Sequence, residues 1–229
     1  MQNADWNETC TRYVAFIDIM GFKEMVARQS HSEIKNILYR ISDLTRTLTS
    51  FSISDANQNH EQMIRSIIFS DSILFITKED SYLSFLKLAD ILKNFMETMI
   101  QTGVAPIKGV VAHGDLTANF SKSIFFGQPL IDAYLLQNEL SYYGIILHHE
   151  AETLMINYLE ETDKWDEINS RFKKIATPLK GGNVFHYNLL IDRISDIHSA
   201  KLYRTVSGIV RKYVDNTVDM LQKMSKANF

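Results

Sequence analysis

Two aspartates, Asp18 and Asp71, are the residues in this chain whose positions best suit chemistry on phosphates. Asp18 ends the apolar run Tyr13 to Ile17, and Asp71 lies between two β-prone runs, Met63 to Phe69 and Ser72 to Thr77. These patterns predict a buried strand that ends at Asp18 and a hairpin with Asp71 at its turn. If the strand and the hairpin are neighbours in one sheet, the two carboxylates face each other. Such a pair suits Mg²⁺ or Mn²⁺, and two ions can activate an attacking hydroxyl and neutralise the leaving phosphates.

The residues directly after Asp18 are candidates for phosphate binding. Gly21, Phe22 and Lys23 precede a helical segment. A turn at a helix start presents backbone N–H groups that can hold a triphosphate without a Walker-type lysine. Lys23 fits either a phosphate contact or a solvated lysine of the first helical turn. Because a single aspartate after a strand is usually a cap or turn residue, the prediction depends on the pair.

The order of the predicted elements decides whether the two aspartates meet. The pattern indicates a strand at 13–17, a helix at 32–50 capped by Ser32, the hairpin, a helix at 80–102 stopped by Gly103, and a strand at 107–112. This βαββαβ order predicts an α+β, ferredoxin-like core, a mostly antiparallel sheet in which the first strand lies beside the central hairpin. Further elements are predicted as helices at 128–143 and 149–160, strands at 144–148 and 184–188, and a helical tail from about 194 to 226.

Composition indicates one globular domain and excludes several classes of partner. The 229 residues are 45% hydrophobic and 22% charged, and 24 basic against 27 acidic residues give a net charge of −3. No global positive field would attract nucleic acid or an anionic membrane. The polar start MQNADWNETC lacks a signal-peptide pattern and no apolar run is long enough to span a bilayer, so we expect a soluble, cytoplasmic protein. The single cysteine, Cys10, excludes an internal disulfide and is interpreted as an inert thiol in a polar leader.

Other chemistries find little support in the sequence. There is no nucleophile elbow, no Gly-x-Gly-x-x-Gly and no P-loop motif. His148, His149 and Glu150 are consecutive, but their spacing matches no zinc helix motif, and neighbouring residues at a strand end point to opposite sides. We therefore expect a solvent-exposed connection there rather than a metal site.

Several sequence blocks together resemble the catalytic domain of the class III adenylate and guanylate cyclases over roughly residues 12 to 190. The blocks are Phe16-Ile-Asp18-Ile-Met-Gly21-Phe22-Lys23, Phe69-Ser-Asp71-Ser, Pro106-Ile-Lys-Gly109 with Gly114, Gly127-Gln-Pro-Leu-Ile-Asp-Ala133-Tyr, and Leu179-Lys180-Gly181. The first two blocks are more narrowly similar to the pyrimidine cyclases of the bacterial Pycsar antiphage systems, which make cyclic UMP or cyclic CMP. The resemblance divides the chain into a leader (1–11), a cyclase-like catalytic domain (12–190) and a C-terminal helical tail (191–229) that packs on the dimer or links it.

The resemblance implies specific roles. Asp18 and Asp71 would be the catalytic metal-binding aspartates, the Ile19 carbonyl would be a further ligand, and two Mn²⁺ or Mg²⁺ ions would be bound in each site. The product would be a 3′,5′-cyclic nucleotide with pyrophosphate. A homodimer with interfacial active sites is implied, as is a separate effector that responds to the cyclic nucleotide in antiphage defence.

The departures from the family pattern bear on substrate and rate. Purine-specific relatives carry a base-reading lysine four positions before the second aspartate, where this chain has Ile67. The family's asparagine and transition-state arginine are replaced by Ile131 and Leu135. Lys180 stands at the first lysine of the family's Lys-Gly-Lys-Gly turn and is a candidate phosphate contact, but the second lysine is replaced by Gly182.

Arg65 is the candidate for reading the base. Strand periodicity places it on the same face as Ile67, Phe69 and Asp71, from which it could donate to O2 or O4 of uracil, and this favours UTP over CTP. It could equally extend into solvent at the outer end of the strand. A purine cyclase and a non-catalytic nucleotide-binding module remain as alternatives. A diguanylate cyclase fits less well, since Phe-Ser-Asp-Ser replaces the Gly-Gly-Asp/Glu-Glu-Phe turn.

Overall fold

An eight-stranded sheet organises the part of the chain that the computed structural model describes, residues 6–50, 62–191 and 210–226. Its strands are β1 (Thr9–Ile19), β2 (Ile64–Phe69), β3 (Ser72–Thr77), β4 (Ile107–Asn119), β5 (Ile124–Phe126), β6 (Ile145–Leu147), β7 (Phe172–Leu179) and β8 (Gly182–Leu189). The strand order is β2-β3-β1-β4-β6-β8-β7, and β5 pairs with β4. All pairings are antiparallel except the one between β4 and β6.

The helices are α1 (Phe22–Arg28), α2 (His31–Ser50), α3 (Tyr82–Thr102), α4 (Gln128–Glu139), α5 (His149–Thr162), α6 (Trp165–Asn169) and α7 (Arg211–Lys226). The predicted α+β class is confirmed, and so is the βαββαβ core with β1 between β3 and β4. The sheet order therefore brings the C-terminal end of β1 next to the β2–β3 turn.

Alternating side chains of β1 build two separate hydrophobic clusters. Tyr13, Ala15 and Ile17 belong to the cluster that includes the buried residues of α3 and α5, while Val14 and Phe16 pack into the cluster that includes Ala133 of α4. This alternation is the period-two pattern of a strand buried on both faces. Asp18 continues the second series, so it lies on the α4 side of the sheet.

The N-terminal end of α2 differs from the prediction that Ser32 caps this helix. Ser32 lies inside α2, and the cap is Ser30: its hydroxyl accepts from the Glu33 backbone N–H (3.3 Å), while Glu33 Oε2 accepts from the Ser30 backbone N–H (2.8 Å). This reciprocal arrangement is a capping box. At the end of α3, Gly103 adopts the left-handed conformation expected of a helix stop (φ 64°).

Several boundaries differ from the sequence prediction because tertiary contacts decide them. β1 begins at Thr9, so Cys10 is part of the sheet rather than of a leader. β4 continues to Asn119, beyond its apolar run. The predicted helix at 128–143 ends at Glu139, where Leu140 instead bridges to Leu179 of β7. β5, α6 and β7 were not predicted.

α7 lies in the C-terminal tail, and the predicted helix from about 194 to 209 lies outside the described residues. α7 packs against its own domain: the Thr217 hydroxyl accepts from the Tyr143 backbone N–H (2.8 Å), and Asn216 donates to the Ser141 carbonyl (2.8 Å). These bonds hold the Ser141–Gly144 segment that precedes β6. None of the helices in the described ranges is long and apolar enough to cross a membrane.

Candidate active site

The two predicted carboxylates lie close together, Asp18 at the C-terminal end of β1 and Asp71 in the neighbouring β2–β3 turn. Asp18 is opposite Ser72 in the β1–β3 register, and the Ile19 backbone N–H donates to the Asp71 carbonyl oxygen (2.8 Å). The β2–β3 turn that presents Asp71 passes through Ser70, which has a positive φ of 57°. Both aspartates are half-buried. Burial raises the pKa of the Asp18 carboxyl, and the neighbouring charge of Asp71 raises it further.

Lys108 supplies a buried cation beside this pair. It is directly opposite Asp18 in the β1–β4 register, so both side chains leave the same face of the sheet. Lys108 is only 4% exposed, and its Nζ donates to the Leu140 carbonyl (3.2 Å). Burial lowers the pKa of Lys108 to about 8, against the opposing effect of the Asp18 charge. The charge of Lys108 in turn acts to lower the pKa of Asp18.

Gln137 of α4 completes the surroundings of Asp18. It is buried and donates a hydrogen bond to the Asp18 carboxylate. Neither Gln137 nor Lys108 was singled out from the sequence. A signal for Lys108 was present, since a lysine inside the apolar run Ile107 to Ala112 needs a partner for its charge. Gln137 carried no such signal, because a helical glutamine is usually solvated.

Lys180 lies in the β7–β8 turn, on the same side of the molecule as Lys108. Its backbone N–H donates to the Glu139 carbonyl (2.8 Å), which fixes the turn at the end of α4. Its charge is close enough to Lys108 to contribute to lowering the pKa of that lysine. The fold thus brings the predicted Lys180 towards the carboxylates, and its side chain is exposed.

The turn after β1 has the geometry that its sequence predicted. Gly21 has a left-handed φ of 75° and forms the N-cap of α1, and Met20 is tied by its N–H to the Pro106 carbonyl (2.9 Å). Gly21 and Lys23 are exposed, Phe22 is half-buried, and the Ile19 side chain is buried. The turn therefore sits beside Asp18 with its glycine accessible from solvent.

Arg65 lies apart from the carboxylates. It shares the cleft-facing side of β2 with Ile67, but its guanidinium lies between the rings of Trp6 (4.6 Å) and Phe120 (4.8 Å). Phe69 is four positions further along β2, about 13 Å at ~3.3 Å per residue. Burial between these rings lowers the pKa of Arg65. Sequence periodicity gave its face correctly but not the aromatic rings that hold it.

An apolar cleft of about 330 Å³ runs beside the carboxylate pair. It is lined by Phe16, Ile67, Phe69, Ser72, Leu74, Leu130, Ile131 and Tyr134. Ser72 joins the cleft to the carboxylate pair, because it follows Asp71 and lies opposite Asp18. The arrangement places carboxylates, cations and an apolar wall side by side, which suits a ligand with a polyanionic end and a planar ring.

Comparison with protein families finds no matching family, and comparison with curated proteins finds no match. Solved structures do match. The catalytic core of a rhodopsin-guanylyl cyclase with converted specificity, in complex with ATPαS, has a TM-score of 0.50 at 14% identity and covers 82% of this chain and 100% of its own. A bacterial light-regulated adenylyl cyclase also has a TM-score of 0.50, at 12% identity, over 86% of this chain and 99% of its own.

The chain has the fold of a nucleotide cyclase catalytic domain.

Within the cyclase fold, three of the four departures from the family pattern lie on the α4 side of the sheet. Ile67 and Ile131 both line the apolar cleft. Leu135 is one helical turn beyond Ile131 on α4, and both are exposed, at 57% and 52%. The apolar substitutions therefore cluster on the open surface beside the carboxylates.

Proposed function

We propose that this chain is a nucleotide cyclase that converts a nucleoside triphosphate to its 3′,5′-cyclic monophosphate and pyrophosphate. The observation that carries the proposal is the meeting of Asp18 and Asp71 at one edge of a cyclase-fold sheet, with Lys108 buried beside Asp18. In the reaction the 3′-oxygen forms a bond to the α-phosphorus, the bond to the bridging oxygen of pyrophosphate breaks, and the hydroxyl proton passes to solvent.

The donor set fits Mn²⁺ or Mg²⁺. Two half-buried carboxylates this close together favour a divalent cation between them, since burial and the charge of Asp71 raise the pKa of Asp18 and hard cations prefer oxygen ligands. Asp18, Asp71 and the Ile19 carbonyl are the proposed ligands of two ions per site. When bound, the ions lower the pKa of the attacking hydroxyl and neutralise phosphate charge.

The lysines are proposed to bind the phosphates. Lys108 is held at the base of the site by its bond to Leu140, so its charge is positioned before substrate arrives. Lys180 and Lys23 are exposed on the two turns that flank this edge, and they extend the positive charge outward. The backbone N–H groups after Gly21 add donors for the triphosphate.

We propose a pyrimidine triphosphate as the substrate, UTP first and CTP second. The position at which purine-specific relatives carry a base-reading lysine is Ile67, an apolar wall of the cleft. The preference for UTP depends on Arg65 as a donor to uracil, and it requires the guanidinium to leave the rings of Trp6 and Phe120.

A homodimer is proposed through the α4 side of the sheet. Large apolar side chains remain exposed there, among them Phe69 at 79%, Ile131 at 52% and Leu135 at 57%. A monomer rarely leaves such a surface in water. A second copy would cover it and bring its own residues towards Asp18 and Asp71.

The resemblance of the Asp18 and Asp71 blocks to Pycsar cyclases also supports a role in antiphage defence, with the product acting on a separate effector. Expression of the chain together with a candidate effector from a neighbouring gene should reduce phage plating, and Asp71→Asn should abolish the effect.

Product analysis after incubation with each of the four triphosphates and Mn²⁺ tests the enzymatic proposal. We expect cyclic UMP, or less of cyclic CMP. Preferential cyclisation of ATP or GTP would instead establish a purine cyclase.

A nucleotide-binding module without catalysis is the second candidate, favoured by the exposed Ile131 and Leu135 where relatives carry polar groups. Nucleotide binding without any cyclic product, and biological activity retained in Asp71→Asn, would establish it.

A further inference from the structure

Three side chains converge where β6 passes into α5. The ligand atoms of His148, His149 and Glu150 lie within 4.8 Å of one another. The expectation that these neighbours diverge is wrong because the strand ends at Leu147. His148 is the extended N-cap (φ −76°, ψ 158°), and His149 and Glu150 already belong to the first turn of α5. The change from strand to helix turns all three groups towards a common point.

The carboxylate of Glu150 lies between the two imidazoles. Its Oε1 is 3.0 Å from His149 Nε2, and its Oε2 contacts His148 Nδ1. The ring centroids of the histidines are 4.6 Å apart, with the planes tilted by 51°. The expected solvent-exposed connection is also wrong for His148, whose side chain is only 16% exposed.

Two of these atoms, His148 Nδ1 and Glu150 Oε2, are in contact with each other but make no regular hydrogen bond in the described part of the chain. Both atoms are buried. A nitrogen lone pair and a carboxylate oxygen brought together in this way require a proton or a cation between them.

A neighbouring histidine–glutamate pair, His186 and Glu152, lies outside the converging group. Glu152 Oε1 accepts from the Tyr187 backbone N–H (3.0 Å) and lies 3.4 Å from His186 Nδ1. Glu152 therefore fixes β8 to α5. His186 offers a matched histidine of the same region that is outside the converging group.

We propose that His148, His149 and Glu150 bind one transition-metal ion of the Zn²⁺ class, with water completing the coordination. Imidazole nitrogens with one carboxylate suit Zn²⁺, Co²⁺, Ni²⁺ or Cu²⁺ rather than Mg²⁺. The first turn of α5 carries partial positive charge, which disfavours a cation held by charge alone and leaves imidazole coordination as the main source of affinity.

This site is separate from the carboxylate pair. Leu147 lies opposite Val111 on β4, whereas Asp18 lies opposite Lys108. Lys108 and Val111 are three positions apart on β4, so the two sites are about 10 Å apart along the strand, at ~3.3 Å per residue. An ion at His148 links the end of β6 to the start of α5, so it stabilises the fold without entering the phosphate chemistry.

Zn²⁺ titration of the chelator-stripped full chain tests the proposal, in an Asp18→Asn/Asp71→Asn background that disables the other site. We expect one equivalent bound and a raised thermal midpoint. Replacing both ligand histidines, His148→Ala with His149→Ala, should weaken binding by more than about 10-fold, a loss already typical for groups that only support a ligand. His186→Ala should leave the affinity unchanged.

Co²⁺ provides a readout that does not depend on the folding of the double variant. Bound by two imidazoles and a carboxylate, it should give the intense visible bands of low-coordinate Co²⁺, and Glu150→Gln should alter them. Failure of the parent to bind Zn²⁺, or binding unaffected by both the histidine replacements and Glu150→Gln, would overturn the proposal.

Discussion

At the scale of single residues, the Asp18–Lys108 pair dominates the electrostatics of the candidate site. The two lie opposite each other on β1 and β4, and Lys108 is almost completely buried. An ammonium in such surroundings is stable only with compensation, which Asp18 and the Leu140 carbonyl supply. The arrangement keeps a positive charge ready beside the proposed metal-binding carboxylates.

Replacing either proposed metal ligand should remove cyclisation while the fold persists. In Asp71→Asn or Asp18→Asn, the loss of an anionic ligand should reduce cyclic-nucleotide formation by about 100-fold or more, the equivalent of several kcal/mol. Asp43→Asn is the matched control, because the Asp43 carboxylate forms an exposed ion pair with Arg46 on α2. Turnover that persists in Asp71→Asn would exclude the proposed role of the pair.

The lowered pKa of Lys108 predicts how stability depends on pH. Its pKa is about 8 in the folded protein and 10.5 in the reference state, so between these values the unfolded chain binds more protons. The free energy of unfolding should therefore rise with pH across this window, with a slope approaching ~1.4 kcal/mol per pH unit. Below the folded pKa of about 8, the contribution of Lys108 to the free energy of unfolding no longer changes with pH.

Urea denaturation of metal-stripped wild type and Lys108→Met, from about pH 7.5 to about pH 10, measures this effect. The wild type should gain stability relative to the variant as pH rises. Buried tyrosines with raised pKa values, such as Tyr13 and Tyr142, are common to both proteins and cancel in the difference. A difference that stays constant over the range would contradict the assignment.

At the scale of elements, the close approach of β4 to β1 positions Lys108 against Asp18. Gly109 makes this approach possible: a Cβ there would lie 2.3 Å from Ile17 Cδ1 and 2.7 Å from the Phe16 carbonyl oxygen. The backbone oxygen cannot move away without breaking the β1–β4 ladder. This glycine is needed for space rather than for a special φ.

Gly109→Ala should therefore destabilise the protein by about 3 kcal/mol or more, at the upper end of overpacking costs. Gly181→Ala, whose Cβ would meet nothing within 4 Å, should change stability by less than about 0.5 kcal/mol. Thermal or urea unfolding of both variants makes the comparison. Equal stabilities would show that β1 and β4 can separate at low cost.

At the scale of the whole molecule, several large exposed apolar side chains lie in or beside the cleft: Phe69, Ile131, Tyr134 and Leu135. Leu135 on α4 is 57% exposed without lining the cleft, whereas Tyr39, 60% exposed, is on α2, which belongs to the other side of the sheet. If the α4 side forms a dimer, charge is tolerated at Tyr39 but not at Leu135.

Leu135→Asp should shift the protein to a monomer in sedimentation analysis and abolish cyclisation, since a buried unpaired carboxylate opposes association. Tyr39→Asp should keep both the dimer and the activity. An active monomeric wild type would refute the interfacial site.

The sequence by itself determined the strand–helix order and the two aspartates that follow strand ends. Period-two and helical patterns depend on local side-chain spacing, so the β2–β3 hairpin and α3 could be predicted closely and β1 in its central part. The turn at Gly21 and the helix stop at Gly103 were predictable for the same reason, since positive φ is a local demand.

Only the tertiary structure decided which polar groups meet. Lys108 and Gln137 lie far from Asp18 in sequence and are brought to it by cross-strand register and by α4. Arg65 was placed on the correct face, but Trp6 and Phe120 determine where its charge lies. The convergence of His148 with Glu150 depends on the residue at which β6 ends, and a shift of one residue there reverses the direction of a side chain. Local periodicity determines which face of a strand or helix a side chain lies on. The register between strands and the residue at which each strand ends determine which side chains it meets.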